Sequence, residues 1–293
     1  MDSVRVKAYA KINLSLDILG RQDGYHMLDS VVTTIDVYDL IVIKKRKKDK
    51  LVSVLMKGMG SESIPYEGNN AVKAAERFIA AYDTCGVDIT IYKNIPMGAG
   101  LGGSSADVAG VLNGLKKLFD IDDEGGIKSI ADGIGSDCGY MLYGGYARIR
   151  GRGERVELLN TRLRLDLCLL IPKEPVGTAE CYKCFDKLNC THSPHSDSVQ
   201  AALLKGDRQA LGEELSNALT PSAMHLNGQI CQAFDSLREF APLGVSMTGS
   251  GSCAFALFEN DQFASYAVSR YNGQFKMIQT KTYFPNLEIS KKK

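Results

Sequence analysis

The 293-residue chain has no apolar run long enough to cross a bilayer as a helix, so no membrane partner is expected. Its opening residues, Met1-Asp2-Ser3-Val4-Arg5-Val6, lack the unbroken apolar stretch of a secretory signal. The expected compartment is therefore the cytoplasm, and the eight cysteines are expected as free thiols. Charge of one sign is also missing. Lysine and arginine number 35 against 34 acidic residues, a formal net charge of +1, which gives no basis for nucleic-acid binding. No G-x-x-x-x-G-K-[ST] occurs, so the chain holds no P-loop. It has no internal repeat and no low-complexity linker.

What is present centres on Pro96-Met97-Gly98-Ala99-Gly100-Leu101-Gly102-Gly103-Ser104-Ser105-Ala106-Asp107. A β-branched run from Val87 to Ile95 leads into four glycines in six positions, and a helix-period segment follows at once. Glycine lets the backbone approach a ligand and take up dihedrals that a side chain forbids. The helix start behind it carries unpaired N–H groups and the positive end of the dipole. Together they make a site for phosphate oxygens, so the segment predicts nucleotide binding. Gly98, Gly100 and Gly103 also satisfy G-x-G-x-x-G, but Pro96 and the hydroxyls of Ser104 and Ser105 argue against a dinucleotide turn. Such hydroxyls reach a phosphate or a magnesium ion. The plainer reading is a glycine-rich connection in which Ser104 caps the helix and Asp107 completes a capping box.

Periodicity predicts strands over Val4–Tyr9, Ile12–Ile18, up to Ile43, and Val87–Ile95, with a turn at Asp23-Gly24. Helical spacing runs through Asn70–Tyr82, with Val72, Ala75, Phe78 and Ile79 on one side, and through Val108, Val111, Leu112, Leu115 and Leu118. The run 44–48, Lys-Lys-Arg-Lys-Lys, lies between strand-like Tyr38–Ile43 and Leu51–Met56 and reads as a solvated hairpin tip. Tyr140–Ile149 is expected as a strand. Beyond Leu165 the expectation is strand Leu165–Ile171, helices at Thr178–Leu188, Val199–Leu204, Leu211–Leu219 and Gly228–Phe240, and strands at Val245–Met247, Cys253–Phe258 and Phe275–Thr282. A frayed Lys291-Lys292-Lys293 tail ends the chain. The elements lack regular βαβ alternation, so the class is α+β, with two halves meeting near residue 160.

Further groups carry chemistry. Lys11 and Asn13 lie two apart on a strand and share a face, while Ile12 and Leu14 point to the core; the plainer reading makes Lys11 an edge guard. Asp23-Gly24-Tyr25-His26 is a hairpin turn with an exposed tyrosine. Gly135-Ser136-Asp137 holds a carboxylate in a short turn. Thr248-Gly249-Ser250-Gly251 is a second glycine turn, whose amides could close over phosphates or over an acceptor. Cys181, Cys184, Cys190, His192 and His195 are zinc-type ligands. The first two, however, fall within the helix-like run and there share one buried face.

The order Ala10-Lys11-Ile12-Asn13-Leu14, Pro96–Ala106, Thr248-Gly249-Ser250-Gly251 resembles the three motifs of the GHMP small-molecule kinases. Further likeness lies in Asp23–His26, Ile134–Asp137, Gly144–Glu154 and Thr178–Tyr182, and points to the branch whose acceptor is a cytidine diphospho-methylerythritol. The resemblance implies a ribosomal-S5-like N-terminal ATP-binding domain over 1–160, a ferredoxin-like C-terminal domain over 161–293, and an active cleft between them. It implies ATP and Mg2+ as cofactors, a small-molecule acceptor, and a monomer or homodimer. Lys11 and Asp137 would be the catalytic pair. Pro96, Gly98, Ala99, Gly100, Leu101, Gly102, Gly103, Ser104 and Ser105 would hold the phosphates, with magnesium near Ser104 or Ser105. Asn69 and Asn70 would meet adenine. Asn13 would bind acceptor hydroxyls, His26 the cytosine edge, and Tyr25 and Tyr182 its faces. Thr178, Thr248, Gly249, Ser250 and Gly251 would complete the acceptor side. The sequence departs from the family's pattern at Asn217-Ala218-Leu219-Thr220, Gly139 and Gly177. Competing readings are a kinase for homoserine, mevalonate or a sugar, a silent nucleotide sensor on this fold, and a dinucleotide-binding oxidoreductase.

Overall fold

A computed structural model describes residues 1–61, 65–190 and 192–284; the 291–293 tail lies outside them. The chain forms two compact units, each assembled from separate stretches. The first comprises Met1–Ala10, Val37–Pro96 and Gly102–Tyr143; the second comprises Lys11–Asp36, Met97–Leu101 and the chain from Gly144 onward. Both mix helices and sheet, which makes the class α+β.

In the first unit, strand Gly86–Lys93 runs parallel to Val52–Gly58 and antiparallel to the Leu40–Arg46 end of strand Tyr25–Arg46. Val87, Ile89 and Ile91 alternate into the core, as a period of two requires. Helix Asn70–Tyr82 buries Val72, Ala75, Phe78 and Ile79. Helix Gly103–Phe119 buries Val108, Val111, Leu112, Leu115 and Leu118, the stripe that its spacing predicts. Two short helices, Glu124–Asp132 and Cys138–Tyr143, follow.

Two expectations are corrected in or beside this unit. Residues 44–48 are not a hairpin tip, because the strands on either side pair with Gly86–Lys93 rather than with each other. The basic run is met locally. Arg46 binds Asp49 at 2.8 Å and Asp88 at 2.7 Å, Lys47 binds Asp2 at 2.9 Å, and the Lys45 ammonium lies 4.7 Å over the Phe119 ring. Residues 140–149 are not one strand. Tyr140 closes into helix Cys138–Tyr143, Gly144 and Gly145 break it at φ 64° and 75°, and the strand is Tyr146–Gly151. Two successive left-handed residues end either element.

In the second unit, strand Ser15–Gln22 forms a hairpin with Tyr25 onward. Its turn residues Asp23 and Gly24 have φ 51° and 82°, as a tight twisted hairpin demands. A four-stranded antiparallel sheet runs Gly244–Met247, Ala254–Phe258, Asp166–Ile171, Lys276–Lys281. Its core includes Leu170, Ala256 and Phe258 with Ile230, Phe234 and Leu237 of helix Gln229–Arg238. The expected helix 211–219 is instead helix Arg208–Glu214, a two-residue strand Ser216–Asn217 and helix Thr220–Leu226. Parallel pairing of Ser216–Asn217 with Ser15 and Leu16 extends that segment, a long-range contact that overrides helical spacing.

Candidate active site

The second unit gathers most of the residues singled out in the sequence. Lys11 and Asn13 sit on strand Ser3–Asn13, between the core residues Ala10, Ile12 and Leu14. Lys11 is only 4% exposed, which rules out an edge guard in water. Its Nζ donates to Asn13 Oδ1 at 2.7 Å, and its amide donates to Leu101 O at 3.0 Å. Asn13 is also tied to the second glycine turn: its own amide donates to Thr248 Oγ1 at 3.1 Å, and its Oδ1 accepts from Gly249 N at 3.0 Å. Asn13 Nδ2 donates to Ser30 Oγ at 2.8 Å. The asparagine is thus held on every side and fixes the lysine beside it.

The two glycine turns touch. Gly98, Gly100 and Gly102 have φ 64°, 74° and 71°, alternating with buried Ala99 and Leu101. Left-handed residues recur in the backbone concavities that bind anions. At Gly100 a Cβ would stand 2.1 Å from Thr248 O, so no larger residue fits. Thr248 Oγ1 lies 3.2 Å from Gly100 O, and Cys253 N donates to Ala99 O at 3.3 Å. Gly251 N closes the second turn on Thr248 O at 3.0 Å, and Thr178 Oγ1 meets Ser250 Oγ at 3.0 Å.

Asn217 also belongs here, although the sequence singles it out only as the first residue of a segment, 217–220, that departs from a family pattern at Ala218 and Thr220. Its Nδ2 donates to Met247 O at 2.8 Å and Gly249 O at 2.9 Å, holding the turn's carbonyls from the short strand beside Leu16. Nothing local signals this, since the partners lie 30 and 32 residues away.

Tyr25, His26, Thr178 and Tyr182 lie in the same unit. The His26 ring stacks on Tyr182 with centroids 4.8 Å apart, and Nε2 is 2.7 Å from Asp186 Oδ1. Arg21 binds the other Asp186 oxygen at 3.2 Å. The exposed Tyr25 ring is faced by the Arg152 guanidinium, 3.5 Å from its centroid. Asp186 and Arg152 were not among the expected residues. Asp186 is four residues after Tyr182 on helix Thr178–Leu188, so helical spacing alone could have found it.

The first unit holds the other expected residues. Helix Gly103–Phe119 is capped by left-handed Gly102 with no side-chain hydrogen bond. The capping-box reading therefore fails: Asp107 is buried against Lys93, 2.6 Å away. Pro96 is buried. Asn69 caps helix Asn70–Tyr82 by accepting from Ala71 N at 2.9 Å, and Asn70 Nδ2 donates to Ser104 Oγ at 3.2 Å. The Ser105 hydroxyl hydrogen-bonds the Cys138 thiol, which places the helix start beside the turn that carries half-buried Asp137.

Among the described residues no group of three or more His, Cys, Asp or Glu side chains could hold a metal. A divalent cation at this loop would depend on nucleotide phosphates and on the hydroxyls of Ser104 and Ser105, donors that suit magnesium. Cys181 and Cys184 are both buried on their helix, the shared face that their spacing predicts. Burial pushes the Cys181 thiol up to about 12. His192 and His195 are instead bound to Asp17 and Glu214, each at 2.8 Å.

Known proteins resemble this chain over nearly its whole length. The family model "GHMP kinases N terminal domain" matches residues 69–145, and "GHMP kinases C terminal" matches residues 199–276. A 4-diphosphocytidyl-2-C-methyl-D-erythritol kinase of Clostridium beijerinckii is 35% identical over 281 residues, covering 94% of this chain and 98% of that protein. One of the same description from Caldicellulosiruptor saccharolyticus is 35% identical over 280 residues, covering 93% of this chain and 94% of that protein. A crystal structure of 4-(cytidine 5'-diphospho)-2C-methyl-D-erythritol kinase aligns with TM-score 0.77 and 27% identity, over 95% of this chain and 99% of that one. A homoserine kinase from Cytophaga hutchinsonii aligns with TM-score 0.74 at 18% identity, over 97% of this chain and 95% of that one, which shows the fold.

Proposed function

The chain belongs to the GHMP kinases, and from that membership we infer that it uses ATP to phosphorylate the 2-hydroxyl of 4-diphosphocytidyl-2-C-methyl-D-erythritol, a step toward isoprenoid precursors. The observation that carries this reading is likeness at 35% identity over 94% of the chain to a kinase named for that acceptor. The buried Lys11–Asn13 pair, tied to both glycine turns, supports it.

In this mechanism the amides of residues 98–105 grip the triphosphate, and Asn69 and Asn70 meet adenine. Asp137 takes the proton of the acceptor hydroxyl as its oxygen bonds to the γ-phosphorus. The bond from that phosphorus to the β-bridging oxygen breaks, and ADP leaves. Lys11 neutralises charge on the moving phosphoryl group. Positioning and charge stabilisation do most of the work in such transfers. Magnesium, held by Ser104 or Ser105 and the phosphates, would supply further charge neutralisation. Asn13, Thr178 and residues 248–251 orient the acceptor, His26 reads the cytosine edge, and Tyr25 and Tyr182 take its faces. The same reading divides the chain into an ATP-binding domain over 1–160 and a second domain over 161–293, and makes it a cytoplasmic monomer or homodimer.

The test is a coupled ADP-release assay with the cytidine diphospho acceptor and with its cytosine-free fragment. Turnover is expected with the whole acceptor and lost by about 10³-fold in Lys11→Met and in Asp137→Asn. Preference for an acceptor without cytosine would move the chain to a sibling kinase. Nucleotide binding with no transfer to any acceptor would make it a sensor.

A further inference from the structure

Lys93, Asp39 and Asp107 form a buried ionic set that the mechanism above does not use. The Lys93 side chain is 3% exposed and bonds both carboxylates, reaching Asp107 Oδ2 at 2.6 Å and Asp39 Oδ2 more closely still. Burial works against the Lys93 charge, but Asp107 and Asp39 outweigh it and raise its pKa. Asp39 Oδ1 accepts from the amides of Asn94 and Ile95 at 2.5 and 2.8 Å. Asp107 Oδ1 is buried with no hydrogen-bond partner among the described residues.

The placement of the three groups is what matters. Lys93 is the last residue of strand Gly86–Lys93, where the chain enters the glycine loop. Asn94 and Ile95 are the first two residues of the connection. Asp107 stands in the second turn of helix Gly103–Phe119, where the chain leaves it. The Lys93 ammonium lies 3.8 Å from where a Cβ on Gly103 would be. One cation thus holds both ends of the segment 94–102.

A buried ion set of this kind adds little stability, because desolvation offsets the attraction. What it supplies is geometry, since an ammonium between two carboxylates fits in one register while apolar side chains slide. The loop needs such fixing, because its glycines lose more freedom on ordering than any other residue. We propose that Lys93, with Asp39 and Asp107, is a positioning set that clamps both ends of the phosphate loop and holds its amides ready for a nucleotide. Buried and bonded to two carboxylates, Lys93 acts in this proposal through the loop rather than as a phosphate ligand. The proposal rests on the nucleotide reading of the loop but not on the identity of the acceptor.

Its test is calorimetric binding of ADP and a non-hydrolysable ATP analogue, which needs no acceptor, together with KM values for ATP and acceptor. Lys93→Met alone strands two carboxylates and can unfold the protein. The decisive variant is therefore Lys93→Met/Asp39→Asn/Asp107→Leu, an uncharged set of similar volume. In it the carboxamide oxygen that replaces Asp39 Oδ1 still accepts from both backbone amides. The expected result is a folded protein, with a Tm near that of the wild type, whose nucleotide Kd and ATP KM rise at least about tenfold while the acceptor KM stays within about twofold. Asp107→Asn, which leaves the Lys93–Asp39 pair intact, is expected to weaken nucleotide binding about threefold. If the folded triple variant binds nucleotide as the wild type does, or if both KM values rise together, the clamp is overturned. If the wild type binds no nucleotide at all, it is the nucleotide reading that fails.

Discussion

Glycine at position 100 is required by two separate constraints. Its φ is 74°, and an added Cβ would meet Thr248 O at 2.1 Å. Backbone cannot yield there without opening the contact between the two glycine turns. Gly24, at φ 82°, faces nothing within 4 Å. Gly24→Ala should cost only the left-handed strain of about 1–2 kcal/mol. Gly100→Ala should cost more than about 3 kcal/mol, because overpacking adds to that strain. Urea unfolding of the two variants checks this; equal losses would mean that the turns do not press on each other as described. At this scale the sequence was legible wherever one residue type has one use. Alternating glycines announced a left-handed loop, and Lys11 and Asn13 two apart announced a shared face. Asn217 and Asp186 were less visible, since an asparagine or aspartate takes its meaning from the groups it meets.

Elements show where local reading ends. Helices Asn70–Tyr82 and Thr178–Leu188 fall where their spacing puts them, because one amphipathic face suffices to specify each. Residues 44–48 and 140–149 depart from their local pattern, because pairing partners and a glycine break decide those segments. Helix Ser196–Lys205 adds another case. Its cap residue His195 makes no side-chain cap bond. Instead Asp17, from strand Ser15–Gln22, accepts from Ser196 N at 2.9 Å, His195 N at 3.1 Å and His192 Nε2 at 2.8 Å. Burial alone would raise the Asp17 pKa, but these hydrogen bonds outweigh it and hold the carboxyl below the ordinary 3.8. A depressed carboxylate stabilises the fold above its unfolded pKa and loses that contribution as pH falls through the folded value. Asp17→Asn is expected to cost about 2 kcal/mol at pH 7. The gap from wild type should hold down to the ordinary aspartate value and close below it. A denaturant midpoint measured from pH 2 to 7 gives the result, and a gap independent of pH would show that the carboxylate charge is not what caps the helix.

For the whole molecule, ligand linkage offers a check that needs no acceptor. A nucleotide at 100 times its Kd stabilises a folded protein by about 2.7 kcal/mol. ATP with magnesium should therefore raise the melting temperature by several degrees, while NAD should leave it unchanged. A rise with NAD and none with ATP would favour a dinucleotide enzyme over a kinase. The family was legible at this scale because three short motifs occur in a fixed order along nearly the whole chain, and each is specific only in the company of the others. The interleaved make-up of the two compact units was not, because Lys11–Asp36 and Met97–Leu101 join the second unit through contacts far away in sequence.

By itself the sequence determined the elements with a strong period, the glycine loop and the residue types that phosphoryl transfer requires, since these follow from local sterics and from the chemistry of single side chains. Tertiary structure decided which groups act together. It folded the Thr248 turn onto Gly100, seated Asn217 under that turn, and buried Lys93 between two carboxylates. Hydrogen bonds and ion pairs act over about 3 Å, and only folding brings residues hundreds of positions apart within that distance.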